Sequence, residues 1–285
     1  MFSMSDISNL YTVPENRPVP KSIVKILSVV DHVATTHGCR YVVVGATARD
    51  LMLYHVFGIP ASRATRDVDF AIAVESWDKF HSVRNALVST GHFLSDKTVH
   101  RLHCEGMPVD LMPFGGLAEN GTILWPPSLD TAMSVAGFED ALMASVRVAI
   151  NPTLTIPVVS LAALTILKVF AWHERNVTDK DALDLFRIIS TYSDASNTDR
   201  LYSLESPHME KFEFRLDYAG AALAGEDSRV IVSPDTLEKL RAVSGTGEFI
   251  DRLAERIRSS QWPFEPEKLS YIRAVLDAYF SELLT

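Results

Sequence analysis

Cysteine is nearly absent, with Cys39 and Cys104 the only two in 285 residues. Two thiols are too few for a disulfide framework and are not spaced as a zinc site, so the expected compartment is the reducing cytoplasm. No apolar run reaches the roughly 20 residues of a membrane span, and the opening stretch is polar and punctuated by Pro14, Pro18 and Pro20. Positive charge is also in short supply. Lys plus Arg number 27 against 36 Asp plus Glu, a net charge of −9, which excludes a globally basic nucleic-acid coat and leaves room only for local contacts. The Gly-x-x-x-x-Gly-Lys pattern of a P-loop is missing, as are repeats and low-complexity tracts. What remains is 47% hydrophobic and 22% charged, enough to bury the core of one large domain or two modest ones.

The apolar residues Ile23, Val24, Ile26, Leu27, Val30 and Val33 recur at helical spacing between Lys21 and His37, with Gly38 as a stop. A β-branched strand, Tyr41 to Val44, then runs into a tight turn at Gly45-Ala46-Thr47 and a helix from Ala48 to Phe57. A second strand spans Asp67 to Val74, followed by a helix from Ser76 to Ser89 with Ser76 as its cap. Strands over Thr98–Cys104 and Pro108–Pro113 pair antiparallel through the turn Glu105-Gly106. Further strands are expected near 122–125, 145–150 and 153–158. From Ser160 onward the pattern is helical, including a helix from Lys180 to Tyr192 opened by a capping box at Thr178-Asp179-Lys180-Asp181. Strands first and helices later predict an α+β chain with a boundary near 160, a core over 1–159 and a helical region over 160–285.

Asp67 and Asp69 stand two apart, so on an extended strand both carboxylates leave the same face. Such a pair repels unless a cation lies between, and a hard divalent ion such as Mg²⁺ suits oxygen ligands. A polar outer strand face is the bland alternative. Asp110 sits inside the apolar run Pro108 to Pro113, where a bare charge costs several kcal/mol. A metal explains it, and so does an inward charge guarding an edge strand. The turn after Tyr41–Val44 offers backbone N–H groups and a helix end to an anionic phosphate. Arg49 and Arg66 flank it and either grip phosphate or neutralise neighbouring carboxylates. Lys168 lies on a mostly apolar helix face, where it meets a phosphate or snorkels to the surface. Asp181 and Asp184 share a helix face within reach of Arg175. His100 and His103 face opposite sides and are expected to be structural.

The runs Gly45-Ala46-Thr47-Ala48-Arg49-Asp50, Arg63-Ala64-Thr65-Arg66-Asp67-Val68-Asp69-Phe70 and Val109-Asp110-Leu111 resemble the motifs of nucleotidyltransferases with a DNA-polymerase-β-like fold. Leu167-Lys168-Val169-Phe170-Ala171-Trp172, Arg175 and Asp179 to Leu185 are similar to the later motif of the AbiEii branch, toxins of toxin–antitoxin and phage-defence systems. The resemblance spans about residues 40 to 190. It implies a mixed sheet flanked by helices, with a helical C-terminal region. It also implies transfer of a nucleotidyl group from an NTP, with two Mg²⁺ ions, or Mn²⁺ in their place, held by Asp67, Asp69 and Asp110. Lys168 would join these three as a catalytic residue. Gly45, Ala46, Thr47, Arg49, Arg66, Lys168, Asp181 and Asp184 would bind the nucleotide. The chain departs from the superfamily in having Gly45-Ala46 where Gly-Ser or Gly-Gly is usual, so a phosphate-touching hydroxyl is missing.

The implied acceptor is an RNA, such as a tRNA 3′ end, or a protein side chain, and a cognate antitoxin is an implied partner. RNA would need a local basic patch from Arg40, Arg49, Arg63 and Arg66. A small-molecule acceptor of the antibiotic type is favoured by the acidic excess after residue 200, 15 Asp and Glu against 10 Lys and Arg. A binding module without turnover is disfavoured, because idle buried charges are costly.

Overall fold

The computed structural model describes residues 10–60, 65–119, 121–127, 129, 131–175, 179–203 and 207–285. The chain divides into two compact units, residues 1–160 and 161–285.

The first unit runs β1 (Leu10–Thr12), α1 (Lys21–Thr36), β2 (Tyr41–Val44), α2 (Gly45–Asp50), a π-helical stretch (Leu51–Val56), β3 (Val68–Ala73), α3 (Trp77–Ser89), β4 (Phe93–Ser95), β5 (Arg101–Cys104), β6 (Met107–Phe114), β7 (Thr122–Leu124), β8 (Ala132–Ser134), α4 (Phe138–Met143), β9 (Val146–Asn151) and β10 (Leu154–Val158). Eight strands form one mixed sheet in the order β1-β9-β10-β2-β3-β6-β5-β4, and β7 and β8 make a separate hairpin. β2 is buried along its whole length because it lies between β10, its parallel neighbour, and β3, its antiparallel one. The run of β-branched residues suits a strand with no solvent face. α1 buries Ile26, Leu27, Val30, Val33 and Ala34, and packs beside α3. α3 starts where expected, with the Ser76 hydroxyl accepting from the Lys79 backbone N–H at 3.2 Å.

Three local expectations are corrected. The helix after β2 begins at Gly45, so the turn is compressed into one residue with φ of +67°. β3 begins at Val68, which leaves Asp67 in the segment before the strand. The strand expected from Thr98 starts only at Arg101, because Asp96 Oδ1 accepts from the Thr98 N–H (2.8 Å) and Arg101 N–H closes back onto Thr98 O (3.0 Å). That local Asx turn competes with extended pairing. Glu105 and Gly106 make the expected tight hairpin, both with positive φ, as a two-residue connection matching strand twist requires.

The second unit is helical: α5 (Leu161–Arg175), α6 (Lys180–Ser190), single turns at Thr198–Leu201 and His208–Lys211, then α7 (Leu216–Ile231), α8 (Pro234–Ser244), α9 (Gly247–Gln261) and α10 (Lys268–Leu283). Eleven of the fifteen α5 residues are buried, so it is not an amphipathic surface helix. A buried hydroxyl chain pins it: Tyr279 Oη donates to Thr165 Oγ1 at 2.7 Å, and Thr165 Oγ1 lies 3.0 Å from Ser228 Oγ. Burial pushes the Tyr279 phenol up to about 12. Among the described residues, no helix is long and apolar enough to cross a membrane.

Candidate active site

The parallel pair β3–β6 sets Asp69 directly opposite Asp110. Register partners on neighbouring strands are about 4.8 Å apart and project to one face, so two carboxylates are forced together by backbone pairing alone. Asp110 is buried, and β6 lies inside the sheet between β3 and β5, so it does not guard an edge strand. Its charge is met by Arg101: Nε donates to Oδ1 at 2.7 Å and Nη2 to Oδ2 at 2.6 Å. These hydrogen bonds hold the guanidinium proton well above the ordinary arginine range, and Asp96 and Asp67 add to the effect at longer range.

Sequence reasoning did not single out Arg101. The signal was nonetheless present, because a two-residue turn at 105–106 pairs 104 with 107, and counting outward pairs 101 with 110, as the register shows.

Gly45 closes the site from the end of β2. Val44 pairs with Asp69 across the β2–β3 ladder, and a Cβ on Gly45 would overlap Asp69 Oδ2 and Cγ. Positive φ and the missing side chain are therefore both needed. Thr47, buried two residues on, donates from Oγ1 to the Asp67 carbonyl at 2.9 Å, so this hydroxyl holds the segment entering β3. Ala46 is buried as well.

Arg49 is turned inward, only 1% exposed, with Nε and Nη2 at 2.9 and 2.6 Å from Asp50 Oδ1. Asp50 is also bonded by the Thr65 hydroxyl. Of the four arginines of the expected basic patch, Arg66 is exposed, Arg40 pairs with Glu139 at 3.3 Å, Arg49 is buried, and Arg63 lies outside the described residues. A cavity of about 200 Å³ opens beside Thr47, bordered by Asp50, Thr65 and Met107.

A second charged group lies wholly within the helical unit. Lys168 Nζ donates to Asp181 Oδ1 at 2.9 Å and reaches Asp184 Oδ2 at 2.8 Å, while Arg175 Nη2 reaches Asp181 Oδ2 at 3.2 Å. Lys168, Asp181 and Asp184 are all buried. Burial works against the ammonium, but Asp184 and then Asp181 outweigh it and raise its pKa above the ordinary lysine value. The buried lysine finds counter-charges on α6. Thr178 lies outside the described residues, Asp181 faces Lys168, and Asp179 caps without a side-chain bond, its carboxylate held by Arg256 and Ser260.

The carboxylates suit a hard cation in donor type, being all oxygen, and Asp69 and Asp110 suit it in register. Among the described residues, no three His, Cys, Asp or Glu side chains converge as metal ligands. Arg101 occupies both oxygens of the third carboxylate.

A family model described as the nucleotidyl transferase AbiEii toxin of type IV toxin–antitoxin systems matches residues 29–233, more than half of the chain. No curated protein is similar to the chain at a significant level. Seven chains of solved structures resemble it remotely, two of them as follows. One is the antibiotic-resistance factor ANT(2″)-Ia in solution, with 12% identity, a TM-score of 0.37 and coverage of 75% of this chain and 90% of that one. The other is an antigenic nucleotidyltransferase-like protein from Paracoccidioides brasiliensis, with 16% identity, a TM-score of 0.40 and coverage of 68% and 93%. Both likenesses are too distant to bear on function.

Proposed function

Because this chain belongs to the AbiEii family of nucleotidyl transferase toxins and is a nucleotidyltransferase, we propose that it moves a nucleoside monophosphate from an NTP to a macromolecular acceptor under the restraint of a cognate antitoxin. The acceptor is an RNA 3′ end, such as that of a tRNA, or a protein hydroxyl. The observation that carries this reading is the in-register pair Asp69 and Asp110, with Gly45 closed against Asp69.

Asp67, Asp69 and Asp110 are the residues that would hold Mg²⁺. Two such ions, when bound, orient a triphosphate and lower the pKa of the acceptor hydroxyl at an in-line displacement. The chain's own groups set the geometry. Gly45 leaves the Asp69 carboxylate room beside the first turn of α2. Thr47 fixes the backbone at Asp67. Arg66, exposed next to Asp67, would meet a phosphate. In the reaction the acceptor hydroxyl gives up its proton to water, its oxygen bonds the α-phosphorus, and the bond between that phosphorus and the departing pyrophosphate breaks, the pyrophosphate keeping the electron pair. Lys168, Asp181, Asp184 and Arg175 support the reaction by holding α5 and α6 together.

The test is incubation of the purified protein with each α-³²P-labelled NTP, Mg²⁺, and total tRNA, cell protein or no acceptor, beside an Asp67→Ala/Asp69→Ala control. Label on RNA or protein that disappears in the control supports the reading and names the acceptor. A second reading, a small cationic acceptor, is favoured by the acidic excess of 15 against 10 charges after residue 200. NTP turnover without labelled macromolecule would select it.

A further inference from the structure

The Asp110 carboxylate is the one of the three candidate cation ligands that is buried, its side chain 7% exposed, whereas Asp67 and Asp69 are only part-buried. A buried carboxylate with no counter-charge is strongly unfavourable. Arg101 supplies that charge in a two-pronged fork, Nε to Oδ1 and Nη2 to Oδ2 at 2.7 and 2.6 Å. The fork uses both oxygens, the same ones a divalent ion would need. The pairing is built into the fold, since Arg101 and Asp110 are register partners across the β5–β6 hairpin. The two ends of the pair differ in one respect: the Arg101 side chain is 37% exposed. Its guanidinium therefore has a route to water, while the Asp110 carboxylate is held inside.

We propose that Arg101 is a built-in counter-ion of Asp110, holding the carboxylate in the cation-free protein and yielding it when a divalent cation binds, so that the affinity of the site is set by this competition. The proposal rests on the reading of Asp67, Asp69 and Asp110 as the cation site. It makes Arg101 a positioning residue that lowers cation affinity while keeping the empty site folded.

The experiment measures Mn²⁺ binding to the full chain, by calorimetry and by the paramagnetic resonance of free Mn²⁺, in the unaltered protein, Arg101→Met and Arg101→Lys. Removing the competitor in Arg101→Met is expected to tighten Mn²⁺ binding about 10-fold, the opposite sign to the loss that follows when a group supporting a metal ligand is removed. Arg101→Lys keeps the charge but makes a single-point contact, so it is expected to fall between the two and to fold even where Arg101→Met does not. Unchanged or weaker binding in the variants that fold would overturn the proposal, showing either that Arg101 does not compete or that it holds Asp110 in place for the cation. Tightening that persists in an Asp67→Ala/Asp69→Ala background would also overturn it, by placing Mn²⁺ elsewhere. If neither the unaltered protein nor the variants bind Mn²⁺, the cation-site reading itself fails and this proposal with it.

Discussion

Asp69 and Asp110 lie directly opposite each other on neighbouring parallel strands, at positions where like charges repel most. Arg101 neutralises Asp110, and Asp69 lies beside Gly45, which has no side chain to crowd it. Stability and activity therefore pull in different directions at these residues.

Replacing Asp69 by Asn removes one of the two opposed charges and keeps the side-chain shape. Nucleotidyl transfer is expected to fall on the order of 100-fold or more, while the melting temperature stays level or rises. Labelling assays and thermal melts on the same preparation read both. A collapse in melting temperature would instead make Asp69 a structural residue.

Gly45→Ala adds a Cβ that overlaps the Asp69 carboxylate and forces an L-residue into a left-handed conformation. The backbone term alone costs about 1–2 kcal/mol. Urea unfolding is expected to show at least this loss, and transfer activity falls with it because Asp69 must move.

Lys168→Met leaves Asp181 and Asp184 buried with their shared counter-ion gone. Breaking one side of a buried ion pair costs about 3–5 kcal/mol. Chemical denaturation should show a loss of this order, and adding Asp184→Leu to the variant should recover part of it. A fully stable Lys168→Met protein with no activity would point to phosphate contact instead.

His100 stacks near Trp125, with ring centroids 4.8 Å apart. Burial holds its pKa below the ordinary 6.5, and the negative charge of Asp110 only partly offsets this. The unfolded chain thus takes up a proton before the folded one does. The contribution of His100 to stability is complete above the unfolded value and declines as pH falls through 6.5 toward the folded pKa. Melts between about pH 7.5 and 5.5 should therefore show a smaller acid-side loss in His100→Gln than in the unaltered protein.

Most elements were legible along the chain because they are long and periodic, as in α1 and α3, or densely β-branched, as in β2. The short strands β1, β4 and β8 were not, each being three residues long, although the equally short β7 stood out by its apolar run. The run Asp67 to Val74 has a strand's composition, yet pairing begins at Val68, and the Asp67 carbonyl instead accepts from the Thr47 hydroxyl. Asp181 had the spacing of a cap, and the buried ammonium of Lys168 claimed it.

The order of strands and helices, the α+β class and the residue types able to bind a hard cation were determined by the sequence itself, because helical and extended periodicities and residue chemistry are local. Which carboxylate is buried, which arginine neutralises it and which turns inward were decided only in three dimensions. Arg101 and Arg49 carry the same charge and chemistry, and only strand register and burial set one across from Asp110 and enclose the other beside Asp50.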